Sequence, residues 1–258
     1  MIITEYRVDG AAADNSSSIA IVADLHEFEP KPVLSRLSEI CPDVIAVPGD
    51  LFENHEFGEN LDKEDDSLIS RLLCRIIHLA NRLAGLRWRQ KHRCCKQNAY
   101  DFLMKASEIA PVVMSLGNHE LYLTEEDKAV LKDANVALLN NSTVEIKNVL
   151  FGGIPSKQIT GKIDTEFLAS FSELPGYKVL LCHHPEYYCQ IRSYPINLFL
   201  SGHCRSGFAI TAFSHQGRGY YLAITTVYMM VGWWYHPAAP ILYLFHGSGM
   251  NPRSWLCG

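Results

Sequence analysis

Apolar runs alternate with amphipathic stretches along the first 200 residues of the chain. Five continuous apolar segments have the length and composition of buried strands, namely 18–23, 44–47, 111–116, 178–182 and 197–201. Helical periodicity or capping signals predict helices at 32–40, 98–109, 124–133 and 164–172, and shorter strands are expected near 135–138, 143–146 and 148–153. This alternation predicts an α/β chain with helices on the outside of the sheets.

One region interrupts the alternation. Residues 53–66 are rich in Asp and Glu, and a long amphipathic helix is predicted to start near Ser67. A basic stretch follows at 82–96, so we treat about 53–105 as a helical, basic insertion. Its function is either to cap a site or to form a patch, through 71–96, for an anionic membrane or substrate. The alternative is a solvated helix face with a packed apolar side.

Composition excludes several classes of protein. Apolar residues make up 48% of the chain and charged residues 20%, which is ordinary globular usage. The net charge of -5 gives no basic field, so we expect no nucleic-acid partner. We expect a cytoplasmic protein, because no apolar run is long enough to span a membrane and the first residues do not resemble a secretory signal. The eight irregularly spaced cysteines are then read as reduced thiols rather than as disulfides.

Polar clusters directly follow all five predicted buried strands. They read Asp-Leu-His at 24–26, Gly-Asp at 49–50, Gly-Asn-His-Glu at 117–120, His-His at 183–184 and Gly-His at 202–203. The carboxyl ends of strands are where sites assemble in open α/β sheets. Carboxylate and imidazole together suit first-row divalent metals, and a lone Asp after Gly can bridge two ions. Two such ions clamp the attacking and leaving oxygens of a displacement at phosphorus.

The order and placement of these clusters resemble the motifs of the calcineurin-like metallophosphoesterases, and most closely those of bacterial stand-alone phosphoesterases. The resemblance covers roughly residues 16–203. It implies a four-layer αββα sandwich that hydrolyses phosphoesters with two divalent metal ions, of which Mn, Fe, Zn and Co are all candidates. The substrate within this class and the oligomeric state stay open.

The resemblance also implies a role for each residue. Asp24 and His26 would bind the first metal, Asp50 would bridge, and the second metal would be held by three further residues, Asn118, His183 and His203. His119 would be catalytic rather than a ligand, as it would stabilise phosphoryl charge or protonate the leaving oxygen. Glu120 would hold His119 or a loop in place, and His184 would support the ligands or pack beside them.

The chain departs from the family pattern after residue 203. The family sequence ends in Gly-His-x-His, whose second His completes the first metal site, but here Arg205 stands in that place. Arg carries a permanent positive charge and cannot bind a cation. The composition changes at the same point, because residues 187–258 contain no Asp or Glu although the whole chain has 28.

A shift of reading frame would explain both departures. Met and Trp have unique codons, so moving the frame back by one base forces residues 228–235 to read (Tyr or His)-Asp-Gly-(Arg, Gly or Trp)-(Leu, Met or Val)-Val-Val. That string resembles a strand typical of the family's C-terminal region. We therefore divide the chain into a metallophosphoesterase domain, 1–203, and an atypical tail, 204–258, which is out of frame or else specific to this lineage.

Two functions follow from this sequence. The first is metal-dependent hydrolysis of phosphoesters at a dinuclear centre. A disrupted tail would reduce this activity. The alternative is a degenerate, non-catalytic or weakly active relative that binds metal or phosphate, because Arg205 has replaced a ligand.

Overall fold

The computed structural model describes residues 17–53, 95–120, 123–155 and 163–203, and beyond them the backbone of six strands. Most of the predicted insertion, including the helix after Ser67 and nearly all of the basic stretch, lies outside the described residues. In what is described, no helix is long and apolar enough to cross a membrane.

Strands make up much of the described chain. Their bounds are β1 Ile3–Arg7, β2 Ile19–Val22, β3 Val44–Val47, β4 Val112–Ser115, β5 Ala137–Leu139, β6 Ser142–Ile146, β7 Val149–Ile154, β8 Tyr177–Cys182, β9 Leu198–Ser201, β10 Thr211–Ser214, β11 Tyr220–Ala223, β12 Met229–Val231, β13 Trp234–His236 and β14 Leu242–His246. The helices are α1 Lys31–Ile40, α2 Lys96–Ile109, α3 Glu125–Asp133, α4 Thr165–Glu173 and α5 Tyr188–Ile191.

Two six-stranded sheets organise these strands. The first has the order β1-β14-β2-β3-β4-β5, and the second has the order β10-β11-β9-β8-β7-β6. Strands β2, β3, β4 and β5 run parallel, and so do β7, β8 and β9. The carboxyl ends of neighbouring parallel strands therefore open onto one edge of each sheet, as the sequence pattern required.

Three apolar clusters show that the sheets and helices stack in four layers. One cluster lies between the sheets and joins residues of the first sheet, such as Ile21 and Val113, to residues of the second, such as Phe151 and Leu181. A second cluster packs the outer face of the first sheet against α1, α2 and α3, and a third packs the second sheet against α4 and α5. The predicted αββα sandwich is confirmed.

Helix α2 starts within the range that we assigned to the insertion. It begins at Lys96, and its buried residues, which are Ala99, Tyr100, Phe102, Leu103 and Ala106, belong to the cluster on the first sheet. The stretch 96–105 therefore packs on the first sheet, and the bounds of the insertion stay a prediction.

The tail contributes strands that the apolar pattern did not predict. Strand β11 pairs in parallel with β9, and β14 lies between β1 and β2. Among the described strands, β12 and β13 pair with each other and form a separate two-stranded sheet. Among the described cysteines, Cys41, Cys95, Cys182 and Cys189 are free, which agrees with reduced thiols.

A buried carboxylate, Asp127, ties α3 to α2. It forms a capping box with Thr124, and its Oδ1 accepts a hydrogen bond from the Tyr100 hydroxyl at 2.8 Å and lies 2.9 Å from Lys96 Nζ. Burial alone would raise the pKa of Asp127, but the bonds from Lys96 and Thr124 hold it below its ordinary value. Its contribution to stability is therefore present above pH 3.8 and is lost as the pH falls through the lowered pKa.

We predict that Asp127→Ala lowers the free energy of unfolding by about 2–3 kcal/mol, since it removes a cap and leaves the Tyr100 hydroxyl without its acceptor. Urea denaturation measures the change. Asp133→Ala, at the other end of the same helix, is the matched control and should change stability by less than about 0.5 kcal/mol. Equal losses in the two variants would contradict the assignment.

Candidate metal centre

The predicted site residues lie at the carboxyl ends of five strands. Asp24 and His26 follow β2, Asp50 follows β3, and Asn118 and His119 follow β4. His183 follows β8 and His203 follows β9, so the second sheet supplies two imidazoles to a site whose acids come from the first. The backbone N–H groups of Asp24 and His26 donate to the carbonyls of Gly49 and Asp50, which holds the loops after β2 and β3 together.

Several of these residues occupy the left-handed region of backbone space. Asp24, His26, Asp50 and His203 have φ angles of 53°, 48°, 55° and 67°. This conformation costs a non-glycine residue on the order of 1–3 kcal/mol, and it persists only where the surrounding structure enforces it. Here it turns each side chain from the end of its strand towards the common site.

Asp50 lies at the middle of the cluster. Its Oδ2 is 3.0 Å from His183 Nε2, 3.7 Å from His119 Nε2 and 3.9 Å from His26 Nε2. Its Oδ1 accepts a hydrogen bond from the backbone N–H of His119 at 3.1 Å. Burial would raise the pKa of Asp50, but the charge and hydrogen bond of His183 hold it far below its ordinary value.

Two groups of candidate ligands share Asp50. One contains Asp24, His26 and Asp50, and the other contains Asp50, His183 and His203, with the nitrogen and oxygen atoms of each group within 4.8 Å of one another. His183 Nε2 is also 3.2 Å from His203 Nδ1. The structure thus brings together the carboxylates and imidazoles that the sequence singled out, and their roles as ligands stay predictions.

The donor set fits a divalent metal. Asp24, His26, Asp50 and His183 are all buried, and their mixture of carboxylate and imidazole suits a first-row divalent ion. The side-chain oxygen of Asn118 is buried and has no hydrogen-bond partner among the described residues, which is unusual for an amide and leaves it available as a ligand.

Three glycines give this cluster its room. A Cβ on Gly117 would lie 2.1 Å from Asp50 Oδ1, and one on Gly202 would lie 2.6 Å from Asp24 Oδ2. Gly49 has a φ of 121°, and a Cβ there would meet the Gly117 backbone nitrogen at 2.6 Å. The glycines of the Gly-Asp, Gly-Asn and Gly-His pairs are therefore required by close contact at the site itself.

Glu120 holds two loops in place. Its carboxylate is buried and accepts hydrogen bonds from the backbone N–H groups of Asp50 at 2.8 Å, Phe52 at 2.9 Å and Gly117 at 2.7 Å. Burial and the charge of Asp50 raise the pKa of Glu120 to about 7, and the backbone bonds oppose the rise. The sequence suggested that Glu120 holds either His119 or a loop in place. These hydrogen bonds agree with the second role.

His184 packs against other rings. Its ring lies 3.8 Å from that of His203 and 5.9 Å from that of Tyr187, measured between centroids. Burial and the neighbouring His203 and His183 lower the pKa of His184 to about 3, so this imidazole is neutral at physiological pH. It can support the orientation of His203 through this contact.

Glu53 is the site residue that sequence reasoning missed. We assigned it to the acidic stretch of the insertion, but its carboxylate contacts His26 Nδ1 at 2.9 Å and His119 Nδ1 at 3.1 Å. Its position three residues after Asp50 was the available signal, because the loop after β3 must stay near the site for a few residues. The run of acids that follows hid it.

Comparison with known proteins agrees with this geometry. The family model for calcineurin-like phosphoesterases matches residues 17–203, and the chain therefore belongs to that family. No curated protein matches the sequence significantly.

The search of solved structures supports this fold through one match at low sequence identity. One aligns with a TM-score of 0.52 and 13% identity, covering 81% of this chain and 90% of its own. Another, the Thermus thermophilus sulfate thiohydrolase SoxB in complex with glycerol, has a TM-score of 0.39 and 13% identity over 75% of this chain and 36% of its own, and is too distant to bear on function.

We predict that Gly117→Ala lowers the affinity for Mn²⁺ by about 10–100-fold, because the new Cβ displaces Asp50 or the backbone that carries it. Isothermal titration calorimetry measures the affinity. Gly176→Ala is the matched control, since it strains a backbone with a φ of 100° but meets no atom within 4 Å. An unchanged affinity in Gly117→Ala would show that Asp50 does not contribute to metal binding.

Proposed function

We propose that this chain hydrolyses phosphoesters at a dinuclear metal centre. Calcineurin-like phosphoesterases are generally metal-dependent hydrolases, and this chain belongs to that family. The observation that carries the finer proposal is the position of Asp50, which both ligand groups share. A carboxylate has two oxygens, so one side chain can contact an ion in each group.

The residues divide into two sets of ligands with one bridge. Asp24 and His26 would hold one ion with Asp50, and Asn118, His183 and His203 would hold the other with Asp50. When bound, two divalent ions supply Lewis acidity and a nucleophile at neutral pH. Manganese, iron, zinc and cobalt all suit this donor set.

His119 is positioned to act on the substrate. Its side chain is 20% exposed, whereas that of His183 is fully buried, so a phosphoryl group can reach His119. Burial would lower the pKa of His119, but the hydrogen bond to Glu53 and the charge of Asp50 raise it above its ordinary value. A protonated imidazole here can stabilise phosphoryl charge or protonate the leaving oxygen.

We predict that His119→Ala lowers turnover of p-nitrophenyl phosphate by about 10²–10⁴-fold with Mn²⁺ present, the usual scale for a positioned acid or base. Metal content is measured in the same preparations and should match that of the wild-type chain. Loss of metal together with activity would make His119 a ligand and would refute its assignment as the catalytic group.

A second candidate function is a non-catalytic relative that binds metal or phosphate. Arg205 favours it, because the family's second Gly-His-x-His imidazole would complete the group of Asp24 and His26. The measurement that separates the two functions is metal content together with turnover. Metal binding without any turnover would support the non-catalytic relative.

We predict that Arg205→His alone does not restore full activity, whereas a gene whose frame is restored from codon 204 does. An out-of-frame tail lacks the residues around the second His as well as that His, so the new imidazole would have no support to aim it. Turnover with Mn²⁺ is compared among the wild-type chain, the point variant and the restored gene. A point variant as active as the restored enzyme would refute the frame hypothesis.

The remaining expectations concern location and partners. We propose a cytoplasmic enzyme with a phosphoester substrate and no nucleic-acid partner. Peripheral membrane contact through 71–96 stays a proposal that liposome sedimentation can test, since residues 71–94 lie outside the described structure.

A further inference from the structure

Glu27 is a buried acid that directly follows the candidate ligand His26. It is fully buried, although acids are seldom buried unless other groups pair with them. Its backbone has a φ of 58°, in the left-handed region of backbone space. A long side chain rarely adopts this conformation, which persists only where the surrounding structure enforces it. The proposed function gives Glu27 no role, so its burial and its backbone need a separate explanation.

Hydrogen bonds from two other parts of the chain meet at Glu27. Its carboxylate Oε1 accepts a bond from the backbone N–H of Glu53 at 3.1 Å, in the loop after β3. Its backbone carbonyl accepts bonds from the N–H of Cys95 at 3.1 Å and from Nδ2 of Asn98 at 2.9 Å, at the start of α2. Its own N–H donates to the carbonyl of Leu51 at 3.0 Å. Glu27 thus joins the loops after β2 and β3 to the first turn of α2.

Glu53 and Cys95 flank a long segment of the chain. The segment itself, 54–94, lies outside the described residues, but the residue before it and the residue after it both bond to Glu27. Closing a long loop costs conformational entropy, which contacts at the base of the loop must offset. The hydrogen bonds at Glu27 are contacts of this kind, and they bring the two flanking residues together next to His26.

The loop that ends at Glu53 carries Asp50, the acid that both candidate ligand groups share. The N–H groups of Asp50 and Phe52 donate to the Glu120 carboxylate at 2.8 and 2.9 Å. The N–H of Glu53 donates to Glu27 instead. Two buried acids therefore hold residues 50–53 by their backbone, and Glu27 holds the end of this stretch that leads into 54–94.

We propose that Glu27 is a positioning residue for the candidate metal centre, which holds Asp50 in place by anchoring the backbone of the loop after β3 at Glu53. The hydrogen bond from the Glu53 N–H to Oε1, rather than the charge of Glu27, is the interaction that does this. The proposal rests on the proposed function for the role of Asp50 as a metal ligand. It makes metal affinity depend on an acid that acts through the backbone and not as a ligand.

Two conservative variants separate the reach of the Glu27 side chain from its charge. Glu27→Gln keeps the length of the side chain and one acceptor oxygen, but it removes the charge. Glu27→Asp keeps the charge, but it is shorter by one methylene group, which withdraws the carboxylate from the N–H of Glu53. If the hydrogen bond positions the loop, the Asp variant is impaired and the Gln variant is not.

Asp43→Ala is the matched control, because Asp43 anchors the opposite ends of the same two strands. Asp43 precedes β3, and its Oδ2 accepts a hydrogen bond at 2.8 Å from the backbone N–H of Ser18, which precedes β2. It also forms an ion pair with Lys147. The control variant should unfold at a lower temperature without a change in metal affinity. Thermal unfolding of all three variants establishes that each is folded and separates a general loss of stability from a loss of positioning.

The first measurement is calorimetric titration of the full chain with Mn²⁺ in the absence of substrate. We expect Glu27→Asp to weaken binding by about 10-fold at unchanged stoichiometry, the lower end of the usual effect of removing a group that supports a metal ligand. Glu27→Gln and Asp43→Ala should stay within about threefold of the wild type. Three results would each overturn the proposal: equal losses in the Gln and Asp variants, the loss of one bound ion, or an unchanged affinity in the Asp variant.

The second measurement is hydrogen exchange of the metal-free chain, followed by NMR at the Glu53 N–H. This group should exchange at least about 10²-fold more slowly than in an unstructured peptide in the wild type and in Glu27→Gln, and about 10-fold faster in Glu27→Asp than in the wild type. An unprotected Glu53 N–H in the wild type refutes the proposal, whether or not a variant folds. A wild-type chain that protects this N–H but binds no metal would instead contradict the proposed function, so the two failures can be told apart.

Discussion

The rest of the site depends on the burial of one carboxylate, Asp50, where the two sheets meet. Its Oδ1 accepts a hydrogen bond from the backbone N–H of His119, which follows β4 of the first sheet. Its Oδ2 lies 3.0 Å from Nε2 of His183, which follows β8 of the second sheet. A buried carboxylate is stable only when charge and hydrogen bonds surround it. The imidazoles, the close glycines and the loop contacts of Glu120 are the groups that supply this surrounding or leave space for it.

The strained backbone at the site results from bringing side chains on several strands to one place. Strand ends diverge in direction because sheets twist, so side chains that follow several strands converge only if the backbone turns sharply after each one. The left-handed conformations of Asp24, Asp50 and His203 provide those turns. The free-energy cost of these conformations is offset by the apolar clusters on both sides of each sheet. These clusters hold in place the strands that precede the loops.

Much of the fold could be predicted because the parallel strands are buried on both faces. Strands β2, β3, β4, β8 and β9 are fully buried or nearly so, and such strands read as continuous apolar runs. Strand β6 alternates in burial and gives a weaker signal, and β1 has only two apolar residues beside charged ones. The tail strands β10 to β14 are three to five residues long, too short for a clear periodicity in the sequence.

The site could be predicted to the extent that each residue followed a recognisable strand. Asp24, His119 and His183 do, whereas Glu53 lies beyond a loop and starts a run of acids that resembles a solvated surface. Only the return of the loop towards Glu27 places it beside the histidines. The sequence alone indicated the candidate ligands, because each follows a predicted strand. Glu53 was found only from its contacts with His26 and His119 in the structure.

The charges at the site favour a bound cation. Two buried carboxylates, Asp24 and Asp50, lie close to the partly exposed Glu53, and protonated imidazoles are the groups that balance them without a metal. Burial would lower the pKa of His183, but Asp50 raises it to about 9, so this imidazole carries a proton at neutral pH. A divalent ion replaces such protons, because a histidine must be neutral to act as a ligand. The fold therefore keeps its acids together at a cost that either protons or metal ions must offset, and metal ions would do so without blocking the nitrogens of the candidate ligands.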